Sequence, residues 1–185
     1  MQRPLTPLCL LVLFFSFLAS AQTNFSDGRD LFSDPEKSIL TNTERSENHK
    51  TLLAAMRATE VDDLLNYDGP YTVFAPSDKA FGALSSSDIS ELLRPENKKK
   101  LHEIVTYHIV AGKLSASKIL KAMCRGNGKA TFTTVQGEEI TATMNGIDII
   151  LTDCLGNQAK ITLADANQCN GVMHEIDSVI LPKKI

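Results

Sequence analysis

Four histidines, three cysteines beyond the first ten residues, and one serine between a proline and an aspartate are the side chains here whose chemistry could matter most. A Ser-His-Asp hydrolase can be drawn from Ser77, His108 and Asp177, or with His174 as the base. Such a machine needs its nucleophile on an exposed, strained elbow, yet no Gly-x-Ser-x-Gly stretch occurs. Ser77 instead follows Pro76 and precedes a helical pattern, where a hydroxyl caps free N–H groups. The histidines do not suit zinc either, because no His-x-x-x-His pair is present. His108 shares an inward helix face with Leu101, Ile104 and Val105, and His174 alternates with Val172 and Ile176. Both therefore read as core histidines that must find hydrogen-bond partners. His49 and His102 fall on polar positions. No catalytic residue, cofactor or metal is expected.

The chain opens with a pattern of export. Arg3 precedes an apolar run from Leu8 to Leu18, and Ala19-Ser20-Ala21 offers small residues for cleavage. The run is too short for a mature span, which takes about 20 residues. Cleavage after Ala21 would shorten 185 residues to 164 and remove Cys9. The C-terminal Leu181-Pro182-Lys183-Lys184-Ile185 lacks a glycolipid-anchor tail. The expected product is secreted, extracellular or periplasmic, without membrane insertion. Residues 22–47 read as a flexible polar leader ending in a weak turn near Ser38-Ile39-Leu40, and Asn24-Phe25-Ser26 fits the N-glycosylation pattern.

Charge argues against nucleic acid. The formal net charge is −3, and Lys98-Lys99-Lys100 is the one basic cluster of consecutive residues. Three lysines do not make the stripe that phosphate backbones require, and they read as a solvated helix face.

The elements that would position these residues change character halfway. Leu52, Leu53, Met56, Val61, Leu64 and Leu65 recur at helical spacing. Asp68-Gly69-Pro70 stops that pattern, and Tyr71–Ala75 reads as a short buried strand. Helices are expected after Ser77-Asp78, over Asp88–Leu93, from Glu96 to His108, and after Ser115. Strands are expected over Phe132–Val135, Glu139–Met144, Ile147–Thr152, Ala159–Leu163 and Val172–Leu181. Asn145-Gly146 is the clearest hairpin signal. Helices followed by an antiparallel meander make the class α+β, with the folded domain over residues 48–185.

Two stretches then resemble the fasciclin domain family. Gly69-Pro70-Tyr71-Thr72-Val73-Phe74-Ala75-Pro76-Ser77-Asp78-Lys79-Ala80-Phe81 is similar to its first signature, and Asn170-Gly171-Val172-Met173-His174-Glu175-Ile176-Asp177, followed by Leu181-Pro182, to its second. Tyr107-His108 resembles the Tyr-His pair between them. The resemblance implies a wedge of β-strands with helices around it, and a role in adhesion, matrix association or surface attachment without shared catalysis. It marks Thr72, Val73, Phe74, Ala75, Pro76, Ser77, Phe81, Asn170, Gly171, Val172, His174 and Asp177 as fold-signature positions. In animal members the Tyr-His region and an Asp-Ile pair are associated with integrin binding. Here Asp165-Ala166 stands at the second position, so Tyr107, His108 and Asp165 are the binding candidates. The implied partner is an extracellular protein or polysaccharide, or a second copy of the chain. A small-ligand carrier with a cleft between helices and sheet is the alternative, and a hydrolase on the same scaffold the lesser one.

Cys124, Cys154 and Cys169 remain after export. In an up-and-down meander the loops holding Cys124 and Cys169 fall at one end and Cys154 at the other. A disulfide needs Cα atoms within about 7 Å. The expected bridge is therefore Cys124–Cys169.

Overall fold

The structure, a computed structural model, describes residues 33–183 except residues 68 and 85–89, and not the side chains of residues 66–67. The expected leader cleavage and the Asn24 sequon lie outside the described residues.

Three helices come first: α1 (Ile39–Arg45), α2 (Lys50–Ala58) and α3 (Val61–Tyr67). Ser38 Oγ accepts from Thr41 N–H and starts α1. What the sequence suggested as a weak turn at the leader's end is thus a full helix, with Ile39, Leu40, Asn42 and Thr43 buried. The chain then enters β1 (Tyr71–Pro76) through a cis Gly69–Pro70 peptide. Next come α4 (Asp78–Gly82), a 3-10 turn (Pro95–Asn97), α5 (Lys98–Tyr107), β2 (Ile109–Ala111) and α6 (Ala116–Arg125). The helix expected over Asp88–Leu93 falls partly outside the described residues. The second half is the expected meander: β3 (Lys129–Thr133), β4 (Glu139–Asn145), β5 (Asp148–Thr152), β6 (Gln158–Gln168) and β7 (Gly171–Ile176).

The class is α+β, as the sequence indicated, but the sheet also takes in the two strands of the first half. Its order is β2-β1-β7-β6-β5-β4-β3. β1 lies parallel to β7, and every other neighbouring pair is antiparallel. The two ends of that order also touch. Val110 bridges Thr134, and Val135 N–H donates to Ile109 O at 2.7 Å. Curling the sheet onto itself leaves little open edge for another chain to pair with.

Two cores follow from this wrapping. Side chains alternate across a strand, so Val73 and Ala75 of β1 face Ile39, Leu52, Met56, Leu65 and Ile104 of the helices. Phe74 faces the other way, against Ile119, Ile140, Leu151 and Ile176 inside the curled sheet. β1 and β7 are buried on both faces, the usual setting of parallel pairing.

The expected Cys124–Cys169 disulfide is not formed in this structure. Cys124, Cys154 and Cys169 are free and exposed. Cys124 is not in a loop at the end of the meander. It rides the last turn of α6, a helix whose start is tied to β6 and whose end leads into β3. Cys169 sits in the turn between β6 and β7, where its N–H donates to Lys37 O at 2.9 Å.

Candidate functional site

The two stretches singled out in the sequence, about a hundred residues apart, are neighbouring strands. β1 and β7 pair from Tyr71↔Gly171 through Phe74↔His174 to Pro76↔Ile176. Gly171 is required by this approach, since a Cβ there would lie 2.0 Å from Tyr71 O and 2.9 Å from Ile39 Cδ1. The residue before it locks the seam to the helices. Asn170 Oδ1 accepts from Ile39 N–H at 2.8 Å, its amide donates to Leu65 O, and its carbonyl accepts from Tyr71 N–H.

The polar side chains of the seam are engaged in the same inward manner. Thr72 is fully buried, donating to Gly112 O at 2.6 Å and accepting from Leu114 N–H at 2.8 Å. His174 is also fully buried and stacks on Phe74 with ring centroids 5.7 Å apart. Its Nδ1 accepts from Asp165 N–H at 3.2 Å, and Nε2 meets Leu114 O at 2.7 Å. A carbonyl can only accept, so the proton is on Nε2. Burial pushes the His174 pKa down despite the favourable Leu114 carbonyl.

Asp165 has φ 60 and lies within the register shift of β6 against β7 that falls between Leu163 and Ala166. That kink turns its carboxylate onto Ala116 N–H at 2.8 Å, at the first residue of α6. The residue read as a binding candidate is thus also a helix tether.

Tyr107 and His108 end α5, and both are buried, at 0% and 2% exposure. Tyr107 donates to Glu139 O at 2.9 Å and accepts from Cys154 N–H at 3.2 Å. Burial raises its pKa. His108 carries the opposite tautomer to His174: Nδ1 donates to Ile104 O at 2.8 Å, and Nε2 accepts from Ile180 N–H at 3.3 Å. Desolvation pushes its pKa down to about 4. A surface at this pair would have to be built by neighbouring residues.

The residues of the drawn triad are each engaged elsewhere. Ser77 Oγ accepts from Ala80 N–H and caps α4. Both nitrogens of His108 are used, and Asp177 Oδ1 accepts from Lys160 N–H at 2.8 Å. Among the described residues no group of three His, Cys, Asp or Glu side chains could hold a metal ion.

Three roles escaped the sequence. Asp78 does not extend the cap of its own helix; its carboxylate accepts from Lys50 and Thr51 N–H at 3.1 and 2.8 Å, capping α2. Desolvation opposes its ionised form, but these N–H bonds hold its pKa below the ordinary value. Asp153 accepts from Leu155, Asn157 and Leu181 N–H and so ties the β5–β6 turn to the C-terminal segment. Asp153 ahead of Gly156-Asn157 has the composition of an Asx turn, and that signal was available. His49, placed on a polar position by pattern, is 1% exposed, with Nδ1 2.7 Å from Ser46 Oγ and Nε2 3.6 Å from Glu175 Oε2.

Comparison with known proteins places this arrangement. The family model described as the Fasciclin domain matches residues 47–182. The chain is 35% identical over 150 residues to Protein sll1483 of Synechocystis, covering 81% of this chain and 76% of that one. It is 36% identical over 120 residues to the immunogenic protein MPB70 of Mycobacterium bovis, covering 65% and 53%. It is 32% identical over 120 residues to the cell surface glycolipoprotein MPB83 of the same species, covering 65% and 47%, so it spans about half the length of the mycobacterial relatives. A FAS1 domain pair from the insect cell adhesion molecule Fasciclin I superposes with a TM-score of 0.71 at 17% identity, over 81% of this chain and 52% of that one. That likeness is one of fold.

Proposed function

This chain belongs to the fasciclin domain family, and on that premise we propose that it is a non-catalytic binding module acting outside the cell in surface or matrix attachment. In this reading residues 1–21 direct export and leave, and the domain that meets the partner is residues 48–185 together with α1, whose Ile39 packs in its core. The single observation that supports it most is how the candidate catalytic groups are used. Ser77, His108, His174 and Asp177 each hold backbone in place, with both nitrogens of each of these histidines engaged. A general base needs a lone pair within reach of a substrate proton, and neither of these rings offers one. The described helices include none long and apolar enough to cross a membrane, and the similarity to a mycobacterial cell surface glycolipoprotein favours an extracytoplasmic setting. The carrier alternative has less support. A groove among Leu84, Leu92, Ile104 and Leu181 holds about 240 Å³, below the roughly 300–1,000 Å³ of ligand pockets.

The test is attachment. Beads bearing the purified protein should adhere to whole cells, matrix proteins or polysaccharide films above a matched inert protein, and generic esterase, glycosidase and peptidase substrates should be untouched. Turnover lost in a folded His174→Gln or Ser77→Ala variant would overturn the non-catalytic reading. Beads that adhere to nothing would overturn the attachment reading.

A further inference from the structure

Between Gly112 and Gly137 the chain carries Lys113, Lys118, Lys121, Arg125 and Lys129 and no aspartate or glutamate, although its formal net charge is −3. The stretch comprises α6, the turn after it and β3. Ile119 and Met123 bury the inner side of α6 against the sheet. At 3.6 residues per turn, Lys118, Lys121 and Arg125 fall within about 60° of one another on the opposite side. All three are exposed, and so is Lys129, which follows the helix end. The helix rise spaces the first three by roughly 4.5 and 6 Å along its axis.

No carboxylate among the described residues answers these charges. Among the described residues Lys118, Lys121, Arg125 and Lys129 enter no ion pair. Lys118 Nζ donates to Lys113 O at 2.7 Å. Acidic side chains of nearby strands are engaged elsewhere: Asp165 on Ala116 N–H, and Asp148 with Lys160 at 3.7 Å. By contrast Lys98, in the cluster of three consecutive lysines, pairs with Glu60 at 2.6 Å.

We infer that the exposed side of α6, continued by Lys129, is a docking line for a linear anionic polysaccharide, carboxylated or sulfated. The inference rests on the binding-module reading and names its partner class. A row of unpaired cations along one helix face matches a polymer with charges repeated along a single strand, and releasing that polymer's counterions favours association. Exposed Ser117 and Asn127 flank the row and can hydrogen-bond sugar hydroxyls. A lipid surface fits less well, since an interfacial helix submerges a broad apolar face, whereas Ile119 and Met123 of α6 are buried against the sheet and only Leu120 of its large apolar side chains is exposed. Nucleic acid also fits less well. The positive stripe is short, and α6 contains no aromatic residue on which a base could stack.

The experiment measures binding of the purified full chain to heparin, polygalacturonate and neutral dextran across a salt series. Wild type is compared with K118Q/K121Q/R125Q, with Lys129→Gln, and with K98Q/K99Q/K100Q. Salt-sensitive binding to a charged polymer and not to dextran is expected. The α6 triple should weaken it at least tenfold and flatten the salt slope by about two to three charges, at roughly one per cation removed. Lys129→Gln, outside the helix, should weaken it about twofold to threefold, and the Lys98 triple less than twofold. Preference for heparin or for polygalacturonate decides between sulfate and carboxylate. Equal loss in both triples, an indifferent α6 triple, dextran binding, or tighter binding to duplex DNA or phosphatidylserine vesicles would overturn the docking line. So would failure to bind either charged polymer. Adhesion of beads to cells or matrix proteins is scored separately, so the binding-module reading can stand when this inference falls.

Discussion

The β1–β7 seam and the α6–β3 arm treat polar groups in opposite ways. In the seam, Thr72, His174 and Asn170 direct their hydrogen-bonding atoms at named backbone partners. On the arm, Lys121, Arg125 and Lys129 are exposed and have no carboxylate partner among the described residues. Buried polar groups are costly unless bonded, so the seam's residues are fixed by the fold. Exposed cations carry no such constraint. Residues that identify the family therefore need not be the residues that meet its partners.

The sharpest way to break the contrast is at Gly171. A methyl group there collides with the Tyr71 carbonyl and with Ile39, and the strands cannot separate without losing both cores. Gly171→Ala should destabilise by about 3 kcal/mol or more, at the upper end of overpacking effects, read from urea denaturation. A variant within 1 kcal/mol of wild type would mean that the parallel pairing is not the centre of the fold.

Acid should act next, again on the buried side. His108 is held near pKa 4 against about 6.5 in an unfolded chain. Between these values the unfolded state binds the extra proton, so stability is complete above pH 6.5 and is lost as pH falls toward 4. The shift corresponds to roughly 3 kcal/mol by pH 4, at about 1.4 kcal/mol per unit. His174, also depressed, acts in the same direction. Urea midpoints measured from pH 7.5 to 4 should fall, and His108→Gln should flatten the curve while lowering its plateau. An unchanged slope in that variant would remove His108 from the account.

A smaller effect is expected at Tyr107→Phe, which keeps the ring and deletes the hydroxyl between Glu139 O and Cys154 N–H. About 1–2 kcal/mol should be lost as those groups lose a partner. The side chain's own exposure is 0%, so a folded variant with altered binding would point to an effect transmitted through the β5–β6 turn.

Much of this was legible because its signals are local. Asn145-Gly146 forecast the β4–β5 hairpin, Ser77 and Ser115 forecast helix starts, and alternation forecast β4. What was missed acts at a distance or is too short to show a period. β2 is three residues long, and no pattern in Ile109-Val110-Ala111 separates it from the end of α5. Asp78 caps a helix beginning 28 residues earlier, which no spacing rule anticipates. The expected Cys124–Cys169 bridge is not formed here, because the reading put Cys124 in a loop after the helix started by Ser115, whereas α6 runs on to Arg125 and carries Cys124 in its last turn. Tyr107 and His108 were recognisable as a pair, but only their place at the end of α5, under β4 and the C-terminal segment, shows that both are inside.

The same reasoning sets the smallest expected effect on stability, at the arm. K118Q/K121Q/R125Q removes three exposed charges that enter no ion pair among the described residues and leaves Ile119 and Met123 in place. Glutamine is nearly as good a helix former as lysine or arginine. Arg125 in the last turn interacts favourably with the helix dipole, by about 0.3–1 kcal/mol when exposed, while separating three like charges relieves a repulsion of similar size. The net change in the urea midpoint should therefore stay within about 0.5 kcal/mol, as for other surface substitutions. A loss above 1.5 kcal/mol would show that the cations brace α6 on the sheet, and the contrast between an inward seam and an outward arm would collapse.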